Sequence, residues 1–95
     1  MIMRSEEKIL ETLAKAMSGT ISEFEYSILR RQEESTCLNK RNEKWVVSHY
    51  ERAIAHPVAE YDELRDACIA FMDEALPGLR WQKNKEWFIE QTRGI

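Results

Sequence analysis

Few side chains in this sequence are of the types that do chemistry, and their spacing matches no common catalytic or metal-binding pattern. His49 and His56 are seven residues apart, which is not a zinc-ligand spacing. Cys37 and Cys68 have no C-x-x-C partner and no adjacent histidine pair, so we expect two free thiols. The three glycines are isolated, so there is no glycine-rich phosphate loop. The sequence therefore predicts no catalytic residue, no metal and no cofactor, and we expect a protein that is not an enzyme.

Carboxylates are the most prominent functional groups. The segment from residue 60 to residue 74 holds one basic residue, Arg65, among six acidic ones: Glu60, Asp62, Glu63, Asp66, Asp73 and Glu74. Such a run is commonly a solvated face. The imbalance can also attract a basic partner by long-range electrostatics. Both interpretations stay open from the sequence.

The C-terminal segment RWQKNKEW alternates cations with tryptophans. Arg80, Lys83 and Lys85 surround Trp81 and Trp87, a mixture that is typical of single-stranded nucleic-acid binding. The acidic neighbouring segment would repel phosphate, so we expect no direct nucleic-acid contact. Tryptophans near a chain end more often close a small core, and an exposed one would predict a protein interface.

Length and composition predict one domain over residues 1–95. Hydrophobic residues make up 43% and charged residues 33%, which indicates a folded globular chain. The net charge of −3 is mild and argues against a general nucleic-acid binder. The first residues lack the apolar run of a secretory signal, and no stretch has membrane-spanning length. We expect a cytoplasmic protein without membrane contact.

Apolar spacing and the scarcity of glycine and proline predict an all-α fold, a compact antiparallel bundle of four to five helices. The predicted helices cover residues 5–18, 22–34, 45–57, 57–76 and 80–92. The third of these, WVVSHYERAIAHP, is predicted to be both the central helix and the recognition helix. In that arrangement His49 is a core residue and His56 lies at a helix end.

Local signals mark the helix ends. Ser22 and Glu25 have the spacing of a capping box at the start of the second helix. Gly19 is suited to the left-handed conformation that ends a helix, and Pro77-Gly78 is a stop signal. In the last helix, Trp81, Trp87 and Phe88 are predicted to point inward.

The run His49-Tyr50-Glu51-x-x-x-x-His56-Pro57 resembles the end of helix II in the immunity proteins of nuclease colicins and pyocins. The run Ser22-Glu23-Phe24-Glu25-Tyr26 is similar to the start of that family's first helix. The resemblance covers about 40 residues in the middle of the chain and rests on short motifs. The family's Asp-Leu-Ile-Tyr-Tyr-Pro element is replaced here by VAEYDELRDA, in which Tyr61 and Asp62 stand in.

The resemblance implies a helical antitoxin that binds a cognate bacterial nuclease toxin beside its active cleft. In that family, an acid corresponding to Glu51 contacts the toxin, and positions corresponding to Lys44 and Ser48 select the partner. Combined with the acidic segment, this predicts a non-enzymatic inhibitor of a basic protein. The predicted partner-binding residues are Lys44, Ser48, Glu51, Arg52, Glu60, Tyr61, Asp62, Glu63 and Asp66.

Two alternatives stay open. The first is a phage- or plasmid-encoded acidic inhibitor of a host nucleic-acid-handling complex, which would use the same electrostatics. The second is a homodimeric helical adaptor, which predicts exposed apolar residues. The expected state in solution is a monomer or a weak homodimer.

Overall fold

The computed structural model describes residues 3–95 and has an α+β fold, so the all-α prediction is wrong. The elements follow the order α1 (Arg4–Met17), β1 (Tyr26–Ile28), β2 (Ser35–Arg41), β3 (Lys44–Glu51), β4 (Ile54–Tyr61), α2 (Leu64–Ala75) and α3 (Gln82–Thr92). The four strands form one mixed sheet in the order β1-β2-β3-β4. The first pair is parallel, and the other two pairs are antiparallel.

The helices cover one face of the sheet. Leu38 of β2 lies directly opposite Val47 of β3, and both side chains are fully buried against the helical layer. α2 packs on β2, β3 and β4, while α1 contacts α2 and α3. The largest fully buried side chains belong to this core: Trp45, Phe71, Phe88, Leu13, Met17, Leu38 and Met72.

Polar side chains connect the layers. The indole Nε1 of Trp45 donates a hydrogen bond to Glu6 Oε2 of α1 at 3.1 Å, and the ammonium of Lys40 lies 5.3 Å from the Trp45 ring centroid. Arg65 of α2 donates to Thr92 Oγ1 at 3.0 Å and to the Ile89 carbonyl at 3.1 Å. These bonds fix α1 on the sheet and α3 on α2.

The first and last predicted helices are confirmed as α1 and α3, within two residues at each end. Gly19 adopts the expected left-handed conformation, with φ of 76°, and α2 ends before the predicted stop at Pro77-Gly78, where Gly78 has φ of 84°. Phe88 is buried as predicted, whereas Trp87 is 41% exposed, so the prediction that it points inward is wrong.

The predicted second helix is absent, although its capping box forms. The Ser22 N–H donates to Glu25 Oε2 at 3.0 Å, and the Phe24 N–H donates to Ser22 Oγ at 3.2 Å. These bonds close a turn, and the chain then enters β1 at Tyr26. The local signal is therefore real, but pairing with β2, where Tyr26 lies opposite Thr36, makes the next residues a strand.

The predicted third helix is the β3–β4 hairpin, and only the second half of the predicted fourth helix is helical, as α2. Two-residue turns connect β2 to β3 and β3 to β4, and all four central residues have positive φ: Asn42 49°, Glu43 68°, Arg52 52° and Ala53 62°. This is the type I′ geometry that matches the twist of paired strands. Arg52 and Ala53 adopt it without the glycine or asparagine that usually signals such a turn.

We predict that Ala53→Gly stabilises the protein by about 0.5–1 kcal/mol. The left-handed conformation costs an L-residue about 1–2 kcal/mol, and glycine adopts it without this cost. Glycine also makes the unfolded chain more flexible, and the resulting loss of entropy on folding cancels part of the stabilisation. The backbone N–H at this position, which donates to Glu33, is retained. Urea denaturation of the purified protein measures the change. Ala55→Gly, in the adjacent strand, is the matched control and should destabilise by a similar amount; destabilisation by both substitutions would contradict the assignment of the turn.

Candidate functional site

The face of the sheet turned away from the helices, here called the open face, carries a group of polar side chains at the centre of the sheet. Side chains alternate along a strand, so this face presents Cys37 and Asn39 of β2 beside Ser48 and Val46 of β3. Tyr50 of β3 follows on the same face. On the opposite face of the same strands, the side chains of Leu38, Trp45 and Val47 are buried in the core.

The connection between the parallel strands β1 and β2, residues 29–34, crosses the open face; we call it the crossover. Ser27 Oγ donates to the Arg30 carbonyl at 2.9 Å, and Ser35 Oγ donates to the Gln32 carbonyl at 2.6 Å. The far end is held by Glu33, whose carboxylate accepts the Ala53 N–H at the tip of the β3–β4 turn. Parallel strands usually need a dozen or more connecting residues. Six suffice here because β1 has only three residues.

The crossover and the β3–β4 hairpin enclose a groove of about 320 Å³, here called the open-face groove. It is lined by Arg31, Cys37, Asn39, Lys40, Arg41, Val46, Ser48, Tyr50, Ala55 and Pro57. The ammonium of Lys40 lies over Trp45 on the helix side, so the cationic groups available to the groove are the guanidinium groups of Arg31 and Arg41. None of the lining residues is acidic.

The two cysteines differ in their surroundings. The Cys37 thiol, on the groove floor, is 1% exposed and contacts Ser35 Oγ at 3.3 Å. Its other close polar atoms are the carbonyl oxygens of Gln32 and Ser35. Cys68 lies in the core on α2, and burial raises the pKa of its thiol from 9.0 to about 12. Both thiols are free, as the sequence predicted.

The predicted partner-binding residues are dispersed. Only Ser48 lines the open-face groove. Glu51 is half-buried at the end of β3, and Arg52 is exposed at the tip of the next turn. Glu63 is the N-cap of α2, and Asp66 lies in that helix's first turn.

A second group of predicted residues does come together, around Lys44. Its ammonium forms an ion pair with Asp62, and this hydrogen bond, the charge of Asp62 and the charge of Glu60 raise the pKa of Lys44. Tyr61 lies between Glu60 and Asp62 in sequence, but its side chain is on the helix side of the sheet and packs against the core. This cluster is exposed and is paired internally.

The acidic segment does not form the single helical surface expected from the sequence. Glu60 belongs to β4, whereas Asp66, Asp73 and Glu74 belong to α2. Asp73 forms an ion pair with Lys85 at 3.3 Å, so two of the six carboxylates, Asp62 and Asp73, are matched by the protein's own lysines. The lone base of the segment, Arg65, bonds to α3 instead.

The histidines also lie elsewhere than predicted. His49 is exposed on β3 and His56 is exposed on β4, so the prediction of a core histidine and a helix-end histidine is wrong. Both rings are on the helix side of the sheet, opposite to the open-face groove.

Sequence reasoning missed Arg31, Arg41, Asn39 and Tyr50 as site residues. They are far apart in a helical interpretation and converge only when β2 and β3 pair. Asn42, in the two-residue turn between the two strands, was the available hairpin signal.

No protein-family model, no curated protein sequence and no solved structure matches the chain at a significant level. Among residues 3–95, no helix combines the length and the hydropathy that crossing a membrane requires.

We predict that the stability of the protein falls between pH 9 and pH 12 in a way that depends on Cys68. The native thiol keeps a proton that the unfolded chain releases in this window, so the free energy of unfolding decreases as pH rises. The contribution is at most about 1.4 kcal/mol per pH unit.

Urea denaturation of wild type and Cys68→Ala at several pH values isolates this effect from lysine and tyrosine titration, which both proteins share. The stability difference between the two should shrink as pH rises. A difference that stays constant from pH 8 to pH 12 would contradict the raised pKa.

Proposed function

We propose that the protein is a non-enzymatic binding domain that takes a short acidic segment of a partner protein into the open-face groove. The observation that carries the proposal is the composition of this groove, which joins two guanidinium groups to an uncharged floor. Guanidinium groups bind carboxylates through paired hydrogen bonds. An acidic segment therefore complements the groove in charge.

The rest of the lining supports recognition of a segment with both apolar and polar groups. Val46, Ala55 and Pro57 supply apolar surface, while Asn39 and Ser48 supply hydrogen-bonding groups. A mostly apolar concavity with a few placed polar groups is the usual design of a ligand site. The volume of about 320 Å³ is near the lower end of such sites, which favours a short segment.

Neither edge of the sheet is suited to pairing with a strand of a partner, which favours binding at the open face instead. β4 is an edge strand, but it contains Pro57, and its register with β3 shifts between Val47 and Ser48. Proline and bulges protect edges from pairing with another chain. At the other edge, β1 has only three residues. A partner strand would find little regular backbone to pair with on either side.

The groove chemistry supports binding rather than catalysis. The Cys37 thiol contacts a serine hydroxyl and carbonyl oxygens, none of which is a general base. The two histidines lie on the other face of the same hairpin. Nothing among the lining residues pairs a nucleophile with a base.

The toxin-inhibitor hypothesis from the sequence has less support in this geometry. Its recognition helix is a β-hairpin, and its acidic residues are divided between β4 and α2. Two of those acids are already in ion pairs. We therefore propose an acidic partner segment rather than a basic partner.

We predict that an extended peptide of alternating glutamate and valine perturbs the backbone amide resonances of Asn39, Val46 and Ser48 in NMR titration. Arg31→Glu or Arg41→Glu should each weaken this binding at least about tenfold, because each reverses one of two paired charges. Both side chains are exposed, so the variants should fold.

Lys83→Glu is the control, since it makes the same charge change on α3, away from the groove. A peptide of alternating lysine and valine should leave the groove resonances unchanged. If the basic peptide binds instead and perturbs α2 at Glu63 and Asp66, the acidic-surface hypothesis replaces this proposal.

A further inference from the structure

The β3–β4 hairpin places the protein's two histidines directly opposite each other. His49 pairs with His56 in the antiparallel register, so both side chains leave the sheet on the same face. Residues directly opposite in an antiparallel pair have Cβ atoms about 4.5–5.5 Å apart. Both histidines are exposed to solvent. The hairpin therefore brings the imidazoles of two histidines that are seven residues apart in sequence side by side.

We propose that His49 and His56 form a two-histidine chelate for a divalent transition metal ion. Imidazole nitrogens bind Zn²⁺ at about 2.0–2.1 Å. Two rings on adjacent strands at the cross-strand separation can both reach one ion by rotation about their side-chain bonds. Because both rings are exposed, the ion keeps open positions for water and is not desolvated completely.

Strand alternation places the carboxylate of Glu51 on this face of the hairpin. It lies two residues after His49 on β3 and diagonally across from His56, opposite Ile54. Residues 3–95 contain no group of three or more His, Cys, Asp or Glu side chains placed to hold a metal ion. We therefore assign two protein ligands, with water in the other positions and Glu51 as an outer carboxylate.

The hairpin is suited to hold two ligands in place. Its two-residue turn has both central residues at positive φ, and Glu33 of the crossover accepts the Ala53 N–H at the turn. The register between His49–Glu51 and Ile54–His56 is regular, because the shift in pairing lies beyond Ser48. The two imidazoles therefore need little reordering of the backbone to bind one ion.

Imidazole ligands select metal ions by type. They suit Zn²⁺, Ni²⁺ and Cu²⁺, whereas Mg²⁺ prefers oxygen ligands. Affinity in a nitrogen site should rise from Mn²⁺ through Co²⁺ to Ni²⁺. The chelate is independent of the open-face groove, which lies on the other side of the same strands.

The test is isothermal titration calorimetry of the tag-free full chain with ZnCl₂, NiCl₂, MnCl₂ and MgCl₂. We expect one Zn²⁺ or Ni²⁺ per chain, weaker Mn²⁺ binding and no measurable Mg²⁺ binding. His49→Ala and His56→Ala should each weaken Zn²⁺ binding by more than about tenfold, because changes to groups that only support a ligand already cost about 10–100-fold.

Cys37→Ser is the matched control, because a thiol is the other side chain here with high affinity for Zn²⁺. It lies on the opposite face and should bind Zn²⁺ as wild type does. Zn²⁺ binding that is lost in Cys37→Ser and kept in both histidine variants would overturn the assignment, as would one ion per two chains.

A second measurement separates ligand loss from a change in the fold. Bound Zn²⁺ should slow amide hydrogen exchange at Tyr50 and Ala55 in wild type, because the ion links β3 to β4. In His56→Ala the exchange rates should be the same with and without Zn²⁺. Slower exchange in that variant too would overturn the proposal.

Discussion

The structure depends on one constraint, which is that the first half of β3, residues 45–48, is buried on both faces of the sheet. Trp45 and Val47 enter the helical core, while Val46 and Ser48 face the other way and are only 6% exposed. A strand in this position needs cover on two sides. α2 supplies it on one side, and the crossover with the walls of the open-face groove supplies it on the other. The groove is therefore a direct consequence of how the sheet is closed.

The same constraint explains why secondary structure was predicted wrongly in the middle third of the sequence and correctly at its two ends. A strand buried on both faces does not alternate between apolar and polar residues, so the run Trp45–Ser48 is compatible with a buried helix. The sequence carries no turn signal at Arg52-Ala53, because these residues adopt positive φ without glycine or asparagine. In α1, by contrast, one buried stripe, a polar remainder and Gly19 at the end all favour the same conformation.

The candidate site was less predictable than the fold, since its residues come from separate elements. Arg31 and Arg41 are separated by most of β2, and no local pattern relates them. Charge counted along the chain pointed instead to the acids between residues 60 and 74. In the fold these acids face different directions, and lysines that are distant in sequence, Lys44 and Lys85, pair with two of them. A run of charge predicts a surface only when the run lies on one element.

The β3–β4 hairpin shows how one element can carry two separate chemistries. Ser48, Tyr50 and Pro57 line the open-face groove, and the residues beside them, His49 and His56, project from the opposite face. A substitution on one face can alter the side chains of the other face only by displacing the backbone that the two faces share. Since the turn and Glu33 hold that backbone in register, each face can vary in sequence without altering the side chains of the other. A shift of one residue in the pairing would exchange the two faces, so the pairing of Ser48 with Pro57 is what both proposed sites require.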